Sequence, residues 1–123
     1  MAQQYPYYDL QTARSMMGWI RKKIDELNNV KYMAENALMK GEKEAITLYT
    51  MATKNIIDEI SNRGILIRDP AIGLVDFPAI INGKPAFLCW LTSEEDISFW
   101  HYVDEGFAGR RRITRQDDIL SLL

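Results

Sequence analysis

Apolar positions near the start of the chain alternate in steps of three and four: Leu10, Ala13, Met17, Ile20, Ile24 and Leu27. That is the seam of an amphipathic helix of the heptad kind. The register continues to Ala34 and Leu38, with Lys31 as its one discordant position. Asp9 stands where an N-cap belongs, and Gly41 where a helix should stop. The spacing predicts a helix over residues 10–39, weakened at Gly18 and open to bending at Asn28-Asn29. Ala45, Tyr49, Ala52, Ile56 and Ile60 repeat the pattern over residues 42–62. Two helices joined by a short Gly-containing turn pack antiparallel. At about 1.5 Å per residue such a hairpin is roughly 30 Å or more long, too long for about 60 remaining residues to cover on all sides. A homodimer through the helices is therefore expected, with Ile20 and Ile24 on the exposed part of the seam.

Beyond Asn62-Arg63-Gly64 the period changes. Ile65 to Ile67 form a short strand candidate closed by Asp69-Pro70. LVDFPAII (74–81) and PAFLCWL (85–91) are rich in strand formers. Asn82-Gly83 between them is a strong hairpin signal, because a type I′ turn needs positive φ at both centres. Pro78 and Pro85 make part of this hairpin an edge or a bulge. Residues 92–105, TSEEDISFWHYVDE, read either way. Ser93 and Asp96 resemble a helix cap with acids in the first turn, which favours a short helix, whereas Ile97 to Val103 suit a strand. QQYPYY (3–8), interrupted by Pro6, suits an edge strand or extended arm, and the apolar end of ITRQDDILSLL should dock on the body. The sum is an α+β chain. One domain over residues 1–123 is expected, with a helical hairpin at about 10–62 and a small antiparallel sheet in the β-rich portion at about 65–123.

Composition narrows the function classes. Fifteen basic against seventeen acidic residues give a net charge of −2, which removes a global electrostatic case for nucleic acid. A single Cys excludes an internal disulfide and a Cys-rich zinc site. The opening MAQQYPYYDL has no basic region followed by an apolar run, and no apolar run approaches the roughly 18 residues of a membrane span. A cytoplasmic location with no membrane partner is the expectation.

The chemistry concentrates in residues 73–110, which hold the only His, the only Cys and two of the three Trp. A helix over 94–105 would place Glu94, His101 and Glu105 within an arc of about 40°, opposite Ile97, Phe99, Trp100 and Val103. Carboxylates with an imidazole bind a divalent metal or tune the His as a general base. As a strand, the same segment loses that grouping. Asp76 interrupts an apolar run. Alternation sends it away from Val75 and Phe77, either to solvent or into a pocket with His101 or Arg110. Arg110, Arg111, Arg112 and Arg115 follow Gly106 and Gly109, and suit either anion capture or pairing with the acids at 94–96 and 104–105. Cys89, between Leu88 and Trp90, reads as a buried, inert thiol.

Four motifs in order, Gly73-Leu74-Val75-Asp76-Phe77-Pro78-Ala79, Leu88-Cys89-Trp90, Phe99-Trp100-His101 and Gly106-Phe107-Ala108-Gly109-Arg110, resemble the domain-of-unknown-function family 2203 of small bacterial and archaeal proteins. Tyr8-Asp9-Leu10-Gln11-Thr12-Ala13 is a looser likeness to that family's first helix. The resemblance covers nearly the whole chain but implies no established activity. It implies that Asp76, Glu94, His101, Asp104 and Arg110 belong to a signature; Ser93 departs from the family's usual Gly. Two expectations follow. In the first, Asp76, Glu94 and His101 are catalytic groups, and Glu94, His101 and Asp104 hold a divalent metal, with Glu105 as the alternate to Asp104. Arg110, Trp100 and Phe107 bind a small anionic ligand, Trp90 and Phe99 add apolar walls, and metal-assisted hydrolysis is the reaction if there is one. In the second, the chain is a structural or protein-interaction module, dimerising through its hairpin without catalysis. Phosphate or RNA binding by Arg110 to Arg115 is a weaker third.

Overall fold

The structure, a computed structural model, describes residues 7–121. Helices α1 (Leu10–Ser15), α2 (Met17–Lys40) and α3 (Lys43–Ser61) precede strands β1 (Leu66–Asp69), β2 (Leu74–Ile81), β3 (Lys84–Leu91), β4 (Phe99–Tyr102) and β5 (Arg111–Arg112). The strands form one antiparallel sheet in the order β1-β2-β3-β4-β5, so the α+β expectation holds.

The single helix expected over 10–39 is jointed at Met16. Asp9 does cap α1, its carboxylate accepting the Thr12 N–H at 2.7 Å. At the joint, the Ser15 hydroxyl donates to the Thr12 carbonyl at 2.6 Å, and the Met16 N–H turns to the Ala13 carbonyl. Local side-chain bonding of this kind competes with the helical ladder. The apolar seam survives the joint, since Ala13, Ile20, Ile24 and Leu27 are all buried. Asn28 does not end the helix; its side chain reaches out to the Pro70 carbonyl at 2.9 Å and ties α2 to the β1–β2 turn. Gly41, at φ +69°, closes α2 as expected.

Ile20 and Ile24 are 0% and 3% exposed, which corrects their placement on an exposed seam. They and Leu27 and Ile60 pack beneath Val75, Phe77, Leu88, Trp90 and Trp100, so the proximal half of the hairpin is a lid on one face of the sheet.

The β2–β3 hairpin turns at Asn82 (φ +55°) and Gly83 (φ +77°), the two positive angles a type I′ turn requires. Its two-residue loop sets the register, pairing Ile81 with Lys84 and, further along, Asp76 with Cys89. Pairing of β1 stops at Leu66 opposite Asp76, so Pro78 falls beyond it, where its missing N–H leaves no partner strand among the described residues without a bond. Tyr8 lies against this stretch of β2, its N–H donating to the Pro78 carbonyl at 2.6 Å. Tyr7 and Tyr8 are irregular rather than strand; the rest of the expected N-terminal strand or arm lies outside the described residues. The tail docks as expected as far as residue 121, Leu122 and Leu123 lying outside the described residues. Ile119 bridges Ile81, and the Leu120 N–H donates to the Ile80 carbonyl at 2.9 Å.

Residues 94–105 are not a helix. Phe99–Tyr102 is a strand between β3 and β5, reached through turns and bends. Aromatic side chains fit a pleated surface, and the unpaired side of β3 supplies partners that a helix could not satisfy. The acid–His–acid row on one helix face therefore does not form.

Candidate functional site

The sheet has a second face, away from the helices. Alternation puts Leu74, Asp76 and Pro78 of β2 there, with Phe87 and Cys89 of β3 and Phe99 and His101 of β4. The chain after β4 folds over this face. Val103, Gly106 and Phe107, together with Arg68, Leu74, Asp76, Cys89 and His101, line a cavity of about 360 Å³. Asp76 and His101 are each 2% exposed and Cys89 is 1% exposed. Asp76 thus does point away from Val75 and Phe77, but into this pocket and towards His101.

The bonding of His101 defines the site. Its Nδ1 lies 2.8 Å from the Tyr102 carbonyl oxygen. A carbonyl only accepts, so Nδ1 carries the proton. Its Nε2 lies 3.2 Å from both oxygens of Asp76, a contact that requires one proton between the two groups. Arg68, at an irregularity of the β1 register, donates from Nε to Asp76 Oδ2 at 2.9 Å while its guanidinium covers the Phe87 ring at 5.1 Å. Phe87 in turn lies 5.5 Å from the His101 ring, so one aromatic side chain braces both.

Cys89 completes the group. The donor atoms of Asp76, Cys89 and His101 all lie within 4.8 Å of one another, each on a different strand. Burial first, and the Asp76 carboxylate second, push the thiol up to about 12; Arg110 acts in the opposite sense and is outweighed. A thiol so held is no nucleophile. Neither ring nitrogen of His101 is free to activate it, since one faces a backbone carbonyl and the other faces Asp76.

Other expected site residues lie elsewhere. Glu94 sits in the turn after β3, where its carboxylate accepts the Leu91 N–H at 2.8 Å and pairs with both terminal nitrogens of Arg110. Its burial works to raise its pKa, but Arg110 and the Leu91 N–H outweigh that and hold the carboxyl below its ordinary value. Arg110 also donates to the Cys89 carbonyl at 3.2 Å and lies over Phe99 at 4.1 Å and Phe107 at 5.4 Å. Glu105 accepts the Tyr102 N–H at 3.0 Å and pairs with Arg111, so the pairing of basic loop and acids is realised for both arginines. Asp104 is exposed and joins no metal-compatible group among the described residues. Trp90 and Trp100 belong to the core face, donating from their indoles to the Glu94 carbonyl and to Asp117. Phe107 does line the cavity.

Cys89 is the buried, unreactive thiol expected, but sequence reasoning overlooked Arg68 and the grouping of Cys89 with Asp76 and His101. A signal for Cys89 was present: Asp76 and Cys89 are equidistant from the Asn82-Gly83 turn, so a two-residue hairpin makes them partners. No comparable signal marked Arg68.

The model of a family described as "Uncharacterized conserved protein (DUF2203)" matches residues 6–113. No curated protein and no solved structure matches the chain.

Proposed function

We propose, for a chain that belongs to the family of uncharacterized conserved proteins DUF2203, that Asp76, Cys89 and His101 bind one divalent metal of the zinc class. The observation that carries this reading is the convergence of three buried donors, from three adjacent strands, within 4.8 Å. Tetrahedral bonds of about 2.0–2.3 Å separate ligand atoms by roughly 3.4–3.7 Å, so small side-chain movements close the group on an ion. The donor chemistry fits: imidazole and thiolate suit zinc, and the carboxylate balances charge. The His101 Nδ1–H bond to a backbone carbonyl is the outer contact that metal-bound imidazoles usually make, and it leaves Nε2 as the ligand. Arg68 plays the same orienting part for Asp76.

Three protein donors leave one position facing the cavity, which distinguishes a working site from a closed structural one. A metal held there supplies Lewis acidity towards a ligand or water in that cavity. The chain's own groups then fix the donors at the base of the cavity, which Val103 and Phe107 border. Metal content of the purified full chain, after zinc loading and dialysis, tests the reading. One equivalent is expected in the wild type, with loss in Cys89→Ser and His101→Gln variants whose circular dichroism is unchanged. A metal-free wild type, or equal zinc in all three chains, refutes it.

A second reading concerns the hairpin. Beyond Leu27, α2 buries only Ala37, and α3 buries nothing before Ile56. Leu38, Met39, Leu48 and Met51 stand 58–87% exposed on this distal half. Two helices without a second layer have no core of their own, which supports self-association of two hairpins. Equilibrium sedimentation should give twice the chain mass, and Leu48→Glu with Met51→Glu should halve it. A wild type that sediments as one chain at tens of micromolar removes the reading.

A further inference from the structure

The cavity over Asp76, Cys89 and His101 does not end at His101. A second hollow of about 250 Å³ adjoins it, lined by Tyr7, Leu66, Pro78, Pro85 and Phe87 among others, and the two share Val103. The register explains their continuity. The Pro78–Phe87 pair lies two residues along from the Asp76–Cys89 pair, on the same face of the same two strands. Two residues of strand advance about 6.7 Å, the length of a few carbon–carbon bonds. The first hollow carries the polar donors; the second has proline, aromatic and aliphatic walls.

Charge selects the head group. Metal, thiolate and carboxylate cancel, and Glu94 neutralises Arg110. Arg68 remains, leaving one net positive charge on the cavity wall. Its Nε serves Asp76, and no other hydrogen bond of its side chain occurs among the described residues, so its terminal nitrogens are spare donors. An arginine with spare donors beside an open metal position is a receptor for a carboxylate.

We infer that the two hollows together take a small amphipathic carboxylic acid, its carboxylate between the metal position and Arg68 and its apolar body along Pro78, Pro85 and Phe87. This rests on the metal reading above for half of the head-group site, and on Arg68 and the groove for the rest.

The test is calorimetric titration of the zinc-loaded full chain with acetate, butanoate, hexanoate and octanoate. Affinity should rise about threefold to fourfold per added methylene until the groove is filled. Leu66→Gln should flatten that gradient and leave acetate binding unchanged. Arg68→Gln should weaken every acid about tenfold and leave the gradient intact. Zinc measured on the same samples separates the two readings. A zinc-bearing wild type with no chain-length gradient, or one that binds the matching primary alcohols as well as the acids, overturns the amphipathic-acid inference and leaves the metal centre standing. A chain without zinc that keeps both the gradient and the Arg68 effect supports the inference and refutes the metal centre.

Discussion

Replacing Arg110 by Ala distinguishes a clamp from a ligand-binding residue. In the structure its guanidinium pairs with Glu94, donates to the Cys89 carbonyl and stacks on Phe99. Its side chain is 12% exposed and that of Glu94 is 23% exposed, so the pair is only partly screened by water. Truncation leaves a half-buried carboxylate and a carbonyl without their donor. Hydrogen bonds to charged groups are worth about 1.5–3 kcal/mol each, and breaking a fully buried pair costs about 3–5 kcal/mol. Glu94 keeps the Leu91 N–H and some solvent, which places the loss at about 2–3 kcal/mol. For a chain of this size that lowers Tm by about 8–12 °C. The pH dependence follows from Glu94. Its folded pKa lies below the ordinary value of 4.5, so its contribution is full above that value and is lost as pH falls through the lower folded one. Urea melts of wild type and Arg110→Ala at pH 7 and pH 3 should therefore show a gap that narrows in acid. A loss below about 0.5 kcal/mol at pH 7, or an undiminished gap at pH 3, refutes the clamp.

Three further outcomes are expected. The Cys89 thiol, pushed up to about 12, is protonated at neutral pH, so zinc binding must expel that proton as well as the one between His101 and Asp76; calorimetry in buffers of different ionisation enthalpy should find more than one proton released, and release of one or none would contradict thiolate ligation. At Gly73 (φ +71°) an added Cβ would stand 1.9 Å from Thr92 Oγ1. Gly73→Ala should lose about 2–4 kcal/mol in denaturant melts, with the left-handed backbone accounting for about 1–2 kcal/mol, so Thr92→Ala should restore only the steric part; full rescue would contradict this division. Ile24→Ala, beneath the sheet, should cost about 2–4 kcal/mol while leaving the sedimentation mass unchanged; a wild-type melt would place Ile24 outside the core.

Features that depend on neighbours in sequence were legible. The seam from Ala13 to Leu27, the Asp9 cap, the Gly41 stop and the Asn82-Gly83 turn each rest on a few consecutive residues, and each is realised. Features that depend on what a segment meets were not. Ser93 and Asp96 look like a helix start, but β3 offers an open edge to Phe99–Tyr102, and that tertiary choice outweighs the local signal. Ile20 and Ile24 lie on the seam as read; only the position of the sheet decides that the seam is covered there and bare further along. Glu94 and Arg110 do meet, as the reading of a paired basic loop allowed, but their use as a clamp depends on Leu91 and Phe99, which sequence spacing does not bring together.

The candidate site divides along the same line. Pairing of Asp76 with Cys89 is a consequence of the tight turn alone, because a two-residue loop leaves no freedom in the register of the strands it joins. His101 arrives differently. The connection from β3 to β4 spans residues 92–98 and imposes no register, so the match of His101 to Phe87 is decided by side chains: Trp100 and Tyr102 seek the core face, leaving His101 on the other. A slip of one residue in either strand would turn a donor over to the core, where a carboxylate or imidazole is intolerable. The apolar alternation that packs the helices against one face therefore also assembles the polar group on the opposite face. The hydrophobic effect positions these donors, although none of them belongs to the apolar cluster that the helices cover.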